Sequence, residues 1–161
     1  MIELDKNTFD IASIEDELRV DEICRKLLKD FHQDLQQKGM PPLAAGSLAH
    51  SADYYLRDYL VSARQQNLLL EKSGVVRRFA ATWYIISTLE PTVEELAGHL
   101  NGIREFYRFL YSAGLISRAF LALIEQECDD IGWYTERITS FWNIRADGYL
   151  AWERECTLKD K

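Results

Sequence analysis

The sequence TVEELAGHLNGIREFYRFLYSAGLIS, residues 92–117, carries the clearest helix signals in the chain. Thr92, which follows a proline, and Glu95 form a capping box that predicts the start of a helix. Apolar residues then recur every three or four positions, at Val93, Leu96, Leu100, Ile103, Tyr107 and Leu110. Gly114 is predicted to end this helix, and Ser117 is predicted to cap the next one.

Two glycines inside this segment leave the continuity of the helix open. Gly98 and Gly102 each cost roughly 1 kcal/mol relative to alanine in a helix interior. Either another helix packs closely over this part of the chain, or the chain turns at Asn101 and Gly102 so that two short helices replace one. The sequence alone supports both arrangements.

The residues before this segment also predict helices. Ser13, with Asp16 three residues later, is typical of an N-cap, and we expect a helix from there to Gly39. Its apolar residues at approximate helical spacing are Ile14, Leu18, Ile23, Leu27, Phe31 and Leu35. Residues 40–46, which include two consecutive prolines, are predicted to form a loop, because proline cannot continue a helix.

Two further helices are expected between this loop and residue 88. Ser47 is predicted to cap a second helix, whose apolar positions recur every three or four residues up to Ala63. Ser73 is predicted to cap a third helix that ends near Thr88. The segment FAATWYII, residues 79–86, is apolar nearly all round, which indicates the helix most enclosed by the others.

The C-terminal part predicts one long helix and a docked tail. An apolar stripe at helical spacing runs from Phe120 to Phe141, with Gly132 as its weak point. A short segment at 149–156 follows, and we expect Trp152 to dock back on the body of the protein.

These signals together predict an all-α fold, because period-two alternation is missing and the chain has only three prolines. We expect residues 1–161 to form one domain, a single compact bundle of five to six helices. Within it, residues 1–46 are predicted to hold the N-terminal helix and the proline loop, residues 47–117 the core helices, and residues 118–161 the long C-terminal helix and the tail.

The composition limits the classes of partner. The chain has 161 residues and a net charge of −7. A negative charge opposes sequence-independent binding to nucleic acid, because that binding depends on lysines and arginines that displace counterions. The apolar runs are far shorter than the roughly 20 residues needed to cross a membrane. The acidic N-terminus lacks the features of a secretion signal, so we expect a cytoplasmic protein without membrane contact.

Candidate catalytic and metal-binding groups are scattered along the chain. The three cysteines form no C-x-x-C pair and are expected to be reduced, mostly structural thiols. Glu95 and His99 come nearest to a di-iron motif, but they are four residues apart and the pair occurs once. No serine or cysteine has the context of a known nucleophile, and no glycine-rich phosphate loop is present. The sequence therefore predicts a non-enzymatic protein with no metal, cofactor or nucleotide.

Arginines concentrate in the middle of the chain. Residues 47–116 hold seven basic and seven acidic side chains, and six of the basic ones are arginine. Arg77 and Arg78 follow Ser73 in the first turns of the third predicted helix, where free N–H groups and the helix dipole favour an anion. This arrangement predicts a site for phosphate or another anion. The alternative is that acidic residues of the flanking segments pair with both arginines.

Four blocks in the middle of the chain carry a resemblance to a known family. In order they are YYLRDYLVSARQQNLL, VVRRFAATWYII, TVEELAGHL and GIREFYRFLYSAGLIS. Residues 52–117 thereby resemble the N-terminal core-binding domain of tyrosine recombinases (phage integrases), a small SAM-like helical domain that grips DNA beside a separate catalytic domain. The span between the third and fourth helices is shorter here than in that family. Nothing after residue 117 resembles the catalytic domain with its terminal tyrosine nucleophile.

The resemblance implies a SAM-like core with an added N-terminal helix, and contact with DNA through the arginines of the matching blocks. Strand cleavage and rejoining are not implied, because the catalytic domain is absent. Together with the serine of the predicted anion site, the candidate contacts are Arg57, Arg64, Ser73, Arg77, Arg78, Arg104 and Arg108.

Two hypotheses of different class follow. The first is a helical module that binds a protein partner or itself, because catalytic motifs are missing and the aromatic content of 12% exceeds what a five- or six-helix core needs. The second is a DNA-binding or DNA-regulatory module derived from recombinase core-binding domains, without catalytic activity. A small-molecule or metal site in the bundle is the remaining alternative.

Overall fold

The computed structural model describes residues 5–144 and 148–159, with side chains described to residue 156. Those residues form seven helices and a short 3₁₀ turn at Lys6–Phe9, and they contain no β-strand. The helices are α1 (Ile14–Gln37), α2 (Pro42–Asp53, continued by the π-helix Tyr54–Ala63), α3 (Val75–Arg78, the π-helix Phe79–Trp83 and Tyr84–Ser87), α4 (Val93–Ser112), α5 (Arg118–Asp129), α6 (Ile131–Trp142) and α7 (Tyr149–Lys159). The all-α prediction is confirmed, with seven helices where five to six were expected.

Three predicted helix starts and two predicted helix ends are confirmed. Ser13, Thr92 and Ser117 are the N-caps of α1, α4 and α5, and each side chain accepts a hydrogen bond from the backbone N–H three residues later. Gly39 and Gly114, which follow α1 and α4, have φ angles of +97° and +77°. Glycine adopts this left-handed conformation without steric cost, so both residues end their helices as expected.

Helix α4 is continuous through both of its glycines, and α2 crosses it closely at Gly102. A Cβ atom on Gly102 would lie 2.6 Å from Ser51 Cβ and 2.7 Å from the carbonyl oxygen of Leu48. The first of the two predicted arrangements, a closely packed second helix, is therefore correct at Gly102. At Gly98 a Cβ atom would meet nothing within 4 Å, so packing does not require a glycine at this position.

The segment predicted to be most enclosed does lie in the core. Phe79, Ala80, Ala81, Tyr84 and Ile85 are all fully buried. They belong to one hydrophobic cluster that includes residues from every helix of the described chain. Trp83 and Ile86 are exceptions to the enclosure. Trp83 is only partly buried and packs against rings of α2, and Ile86 is 43% exposed.

The loop predicted for residues 40–46 is wrong from Pro42 onward. Helix α2 begins at Pro42, with Pro41 as its N-cap residue, so Ser47 lies inside the helix and does not cap it. Proline is favoured in the first helical turn because its fixed φ suits a helix and its missing N–H is not needed there. Gly46 consequently lies within α2, facing α1.

The long C-terminal helix is also a wrong prediction, because the chain breaks at Asp130. Residues 118–142 form two helices, α5 and α6, that meet at this residue. The hydroxyl of Tyr134 donates to the carbonyl oxygen of Glu127 at 2.6 Å, and the Asp130 N–H contacts the same oxygen at 3.4 Å. The break therefore lies two residues before Gly132, at an aspartate, a residue favoured at helix starts.

The start of α1 is more exposed than expected, whereas α7 packs on the core as expected. Ile14 and Leu18 were expected on the buried stripe of α1 but are 74% and 68% exposed, because the buried face of the helix is the one that carries Val20, Cys24 and Phe31, and both residues lie off it. Trp152 of α7 was expected to dock and does so, with 4% of its surface exposed.

Candidate functional site

Arg57, the first of the candidate contact residues, connects α2 to α1. Its Nε donates to Asp21 Oδ1 at 2.8 Å, and its Nη1 donates to Asp53 Oδ1 at 3.1 Å. The hydrogen bond to Asp21 raises the pKa of Arg57 further above its ordinary value. The guanidinium charge is therefore already compensated by one carboxylate of α1 and one of α2.

Arg104 and Arg108 of α4 face acidic residues of α5. Arg104 donates to Asp129 and, at 3.0 Å, to Asn101. Arg108 contacts Glu125 at 2.8 Å and Glu105 at 2.7 Å. These pairs link α4 to α5. In them, acidic residues of the C-terminal part, Asp129 and Glu125, are the partners of arginines from the middle of the chain.

The N-terminus of α3, where an anion was expected, binds a carboxylate of the chain itself. Glu127 of α5 is 3% exposed, and its two oxygens accept hydrogen bonds from Gly74 N at 3.1 Å and Arg77 N at 2.9 Å. The predicted cap at Ser73 is wrong, because Gly74 is the N-cap residue and has a φ of +87°. Glu127 was missed because it pairs with a segment about 50 residues away in the sequence.

The other arginines of the candidate set lie around this helix. Arg77 contacts Asp130 Oδ2 at 3.6 Å, and its guanidinium carbon lies 5.7 Å from the centroid of the Trp133 ring. Arg64 donates to Gln66 at 3.3 Å, and Arg78 lies on the exposed face of α3. The structure therefore gathers Arg77, Arg104 and Arg108 beside acids of residues 125–130, whereas Arg57 pairs with α1.

A second group of basic residues, which the sequence analysis did not single out, lines a cleft between α1 and α2. We call it the α1/α2 cleft; its volume is about 330 Å³. Its walls are Arg25, Leu28, Lys29 and His32 of α1 and Gly46, Ala49, His50, Asp53 and Arg57 of α2. Small residues of α2 opposite α1 leave this space open. A signal existed in the sequence, because Arg25, Lys29 and His32 recur at helical spacing.

Arg137 is the most deeply buried charged side chain among the described residues, and it contacts the C-terminal helix. It is 2% exposed, its Nε donates to the carbonyl oxygen of Ala81 at 2.9 Å, and its Nη1 donates to the carbonyl oxygen of Trp152. Trp152 Nε1 donates in return to the carbonyl oxygen of Arg137 at 3.0 Å. The acceptor on Ala81 lies in the π-helix of α3.

Exposed apolar residues surround this attachment. Trp142 is 57% exposed, Leu150 is 63% exposed and Tyr149 is 36% exposed. Ring contacts link Trp142 and Tyr149 through two further rings: Phe141 packs against both Trp142 and Trp152, at centroid distances of 6.2 and 5.2 Å, and Tyr149 packs against Trp152 at 6.0 Å. We call Trp142, Tyr149 and Leu150 the aromatic surface.

His99 is half-buried, with Ser51 and several aromatic rings as its neighbours. Its Nδ1 is 3.2 Å from Ser51 Oγ, and its ring centroid is 4.9 Å from that of Tyr54. Glu95, one turn earlier, accepts a hydrogen bond from Tyr84 Oη at 2.7 Å. Ser51 is buried against α4 at Gly102, so the contact between Ser51 and His99 connects α2 to α4 where the two helices cross.

Within residues 5–144 and 148–159, the helices lack the length and apolarity that a membrane span requires. The same part of the chain has no cluster of three or more histidine, cysteine or acidic side chains that could hold a metal ion. Comparison with protein-family models, with curated proteins and with solved structures found no match.

Proposed function

We propose that this chain is a non-enzymatic helical module that binds a protein partner through the aromatic surface. The observation that carries the proposal is the exposure of Trp142, Tyr149 and Leu150 beside the contact between Arg137 and Trp152 that attaches α7. Tryptophan and tyrosine are enriched among the residues that dominate binding energy at protein interfaces. A cluster of such residues in contact with solvent is more typical of an interface than of an isolated surface.

The charges near the aromatic surface indicate the chemistry of the partner. Glu136 of α6 and Glu153 and Glu155 of α7 are all exposed, and the exposed Arg154, which donates to the carbonyl oxygen of Leu150, offsets one of the three negative charges. A partner with an apolar segment flanked by lysine or arginine complements this rim, and complementary charges raise association rates and suppress wrong partners. A second copy of the chain would bring the same acidic rim and a further net charge of −7. We therefore propose a different, basic protein as the partner.

The DNA-binding alternative, with its SAM-like core, remains the second proposal. It has less support, because Arg57, Arg77, Arg104 and Arg108 already contact carboxylates. Each phosphate contact by these residues would break an existing ion pair. A gel shift at low and high salt tests it, since phosphate contacts weaken as salt rises.

The protein-binding proposal is tested by capture from cytoplasmic extract on the immobilised chain, over a range of salt concentrations. Trp142→Ala and Leu150→Ser are expected to abolish capture of the partner, and higher salt is expected to slow its binding. Leu89→Ser is the matched control, because Leu89 is 95% exposed but lies in the loop after α3.

Three outcomes contradict the proposal. Capture that survives Trp142→Ala, or that Leu89→Ser reduces equally, removes the aromatic surface from the interaction. Light scattering that detects a dimer sensitive to Trp142→Ala assigns the surface to self-association instead of a basic partner.

A further inference from the structure

Two adjoining aliphatic side chains of α1 are in contact with solvent. Ile14 and Leu18 are 74% and 68% exposed, and their spacing of four residues places them one turn apart on the same face of the helix. Single exposed aliphatic residues are common on proteins, whereas adjoining ones with a polar rim are typical of interaction sites. We propose that this part of α1 is a docking surface for an amphipathic helix of another protein, with aliphatic side chains one turn apart and lysine or arginine beside them.

Glutamates border this pair on both sides. Glu15 and Glu22 lie on one side of Ile14 and Leu18, and Glu17 lies on the other, as 3.6 residues per helical turn require. None of the three glutamates forms an ion pair within the described part of the chain. Their charges are therefore free to pair with lysine or arginine of a partner. We call these five residues the α1 docking face.

The basic residues nearest to the α1 docking face are already paired within the chain. Arg19 donates to Asp16 Oδ1 at 3.2 Å and to two backbone carbonyl oxygens before α1. Arg25 contacts Asp21 Oδ2 at 3.4 Å. Residues 10–22 hold six acidic side chains and one basic side chain, so the face keeps a negative potential that these pairs do not cancel.

This charge limits the classes of partner. Nucleic acids and anionic membrane surfaces carry negative charge themselves, so the α1 docking face repels them. A second copy that paired Ile14 and Leu18 across a two-fold axis would bring the two sets of glutamates together. Lys26 and Lys29 would not relieve this repulsion, because they lie roughly 12–17 Å further along the helix axis and salt screens charges beyond roughly 8–10 Å. A basic partner complements the face.

A helix is the partner structure that fits this shape. The α1 docking face is the outer surface of a helix and extends over about two turns. Helices pack by placing the side-chain ridges of one helix between those of the other. Aliphatic residues three or four positions apart on a partner helix therefore pack beside Ile14 and Leu18, while basic residues on its flanks contact the glutamates.

The test is the fluorescence anisotropy of a labelled helical peptide of about five turns, built from alanine, leucine and lysine, with leucines one turn apart and lysines on both sides. We expect saturable binding to the full chain that weakens as salt rises. Leu18→Ser is expected to weaken binding about tenfold or more, because the burial of one leucine side chain is lost. Glu22→Gln is expected to weaken it about two- to fivefold at low salt, the range for an exposed ion pair.

Leu43→Ser and Glu94→Gln are the matched controls and are expected to leave the affinity unchanged. Leu43 is 90% exposed in the first turn of α2, and Glu94 is an exposed residue of α4. Leu18→Ser and Glu22→Gln change exposed side chains, so both are expected to keep a melting temperature close to that of the parent protein. Trp142→Ala is also expected to bind the peptide normally, since the proposal does not depend on the aromatic surface.

The proposal is overturned if the peptide shows no saturable binding, or if Leu43→Ser weakens binding as much as Leu18→Ser does. Equal binding of a peptide with serine in place of leucine reduces the interaction to charge attraction alone and also overturns it. A loss confined to Trp142→Ala assigns the peptide to the aromatic surface instead. A dimer in light scattering that Leu18→Ser dissociates assigns the α1 docking face to a second copy of the chain, against the proposal.

Discussion

The guanidinium carbon of Arg137 lies 3.7 Å from the centroid of the Trp152 ring, and each residue donates a hydrogen bond to the backbone carbonyl of the other. A third hydrogen bond joins Arg137 to the carbonyl oxygen of Ala81 in the π-helix of α3. Helices α3, α6 and α7 therefore meet at one buried arginine, which fixes the position of the aromatic surface.

Arg137→Ala is expected to lower the free energy of unfolding by about 2–4 kcal/mol, because it leaves buried carbonyl oxygens without a donor. Chemical denaturation measures this change. Hydrogen exchange is expected to become fastest in α7, since the Trp152 ring loses its cation and the Trp152 carbonyl oxygen loses its donor. Arg154→Ala is the control: Arg154 is an exposed residue of the same helix, and its loss should stay within about 0.5 kcal/mol. Equal exchange rates in α7 before and after Arg137→Ala contradict the role given to this arginine.

Glu127→Ala is expected to destabilise the protein by about 2–3 kcal/mol, because the first turn of α3 loses two charge-assisted hydrogen bonds. Glu127→Gln keeps one acceptor oxygen and is expected to cost about 1 kcal/mol. Thermal and urea unfolding measure both. Glu136→Gln changes the same charge at an exposed position of α6 and serves as control. Similar losses for Glu127→Gln and Glu136→Gln would show that capping of α3 contributes little.

The local signals in the sequence predicted most of the helices correctly. Ser13, Thr92 and Ser117 cap their helices because an N-cap depends on residues within one turn, which a single sequence displays. The same reasoning located the glycines that end α1 and α4. The apolar segment at 79–86 indicated the core, since a helix with no polar face must be enclosed.

The remaining features depend on residues distant in sequence. Glu127 caps a helix from about 50 residues away, and Arg137 donates a hydrogen bond to the carbonyl oxygen of Ala81. No local sequence pattern predicts either contact. At the break at Asp130, the Tyr134 hydroxyl donates to the Glu127 carbonyl oxygen, which in a continuous helix would accept from the backbone N–H four residues later. Pro42 was misread because proline both stops helices and starts them. The α1/α2 cleft appears only when two helices are packed together.

The two glycines of α4 predict opposite effects of the same substitution. Gly102→Ala is expected to destabilise the protein by about 1–3 kcal/mol, because the added methyl group would lie 2.7 Å from a backbone oxygen of α2. Gly98→Ala meets nothing within 4 Å and is expected to stabilise it by about 0.5–1 kcal/mol through helix propensity. Melting temperatures of the two variants, measured side by side, check the sign of each change. A stabilising Gly102→Ala contradicts the close approach of α2 to α4.

Burial gives His99 a defined effect on the pH dependence of stability. Desolvation lowers the pKa of His99 below its ordinary value, opposed by the charge of Glu95 and reinforced by that of His50. The unfolded chain therefore takes up a proton near pH 6.5 that the folded protein resists, and the free energy of unfolding falls as pH drops from about 7 to 5. Urea unfolding at several pH values is expected to show that His99→Gln reduces this slope, since glutamine still reaches Ser51 but does not titrate. His50→Gln, which changes an exposed histidine, is expected to leave most of the slope in place. A slope unchanged in His99→Gln would mean that the acidic side chains, and not this buried ring, set the response to pH.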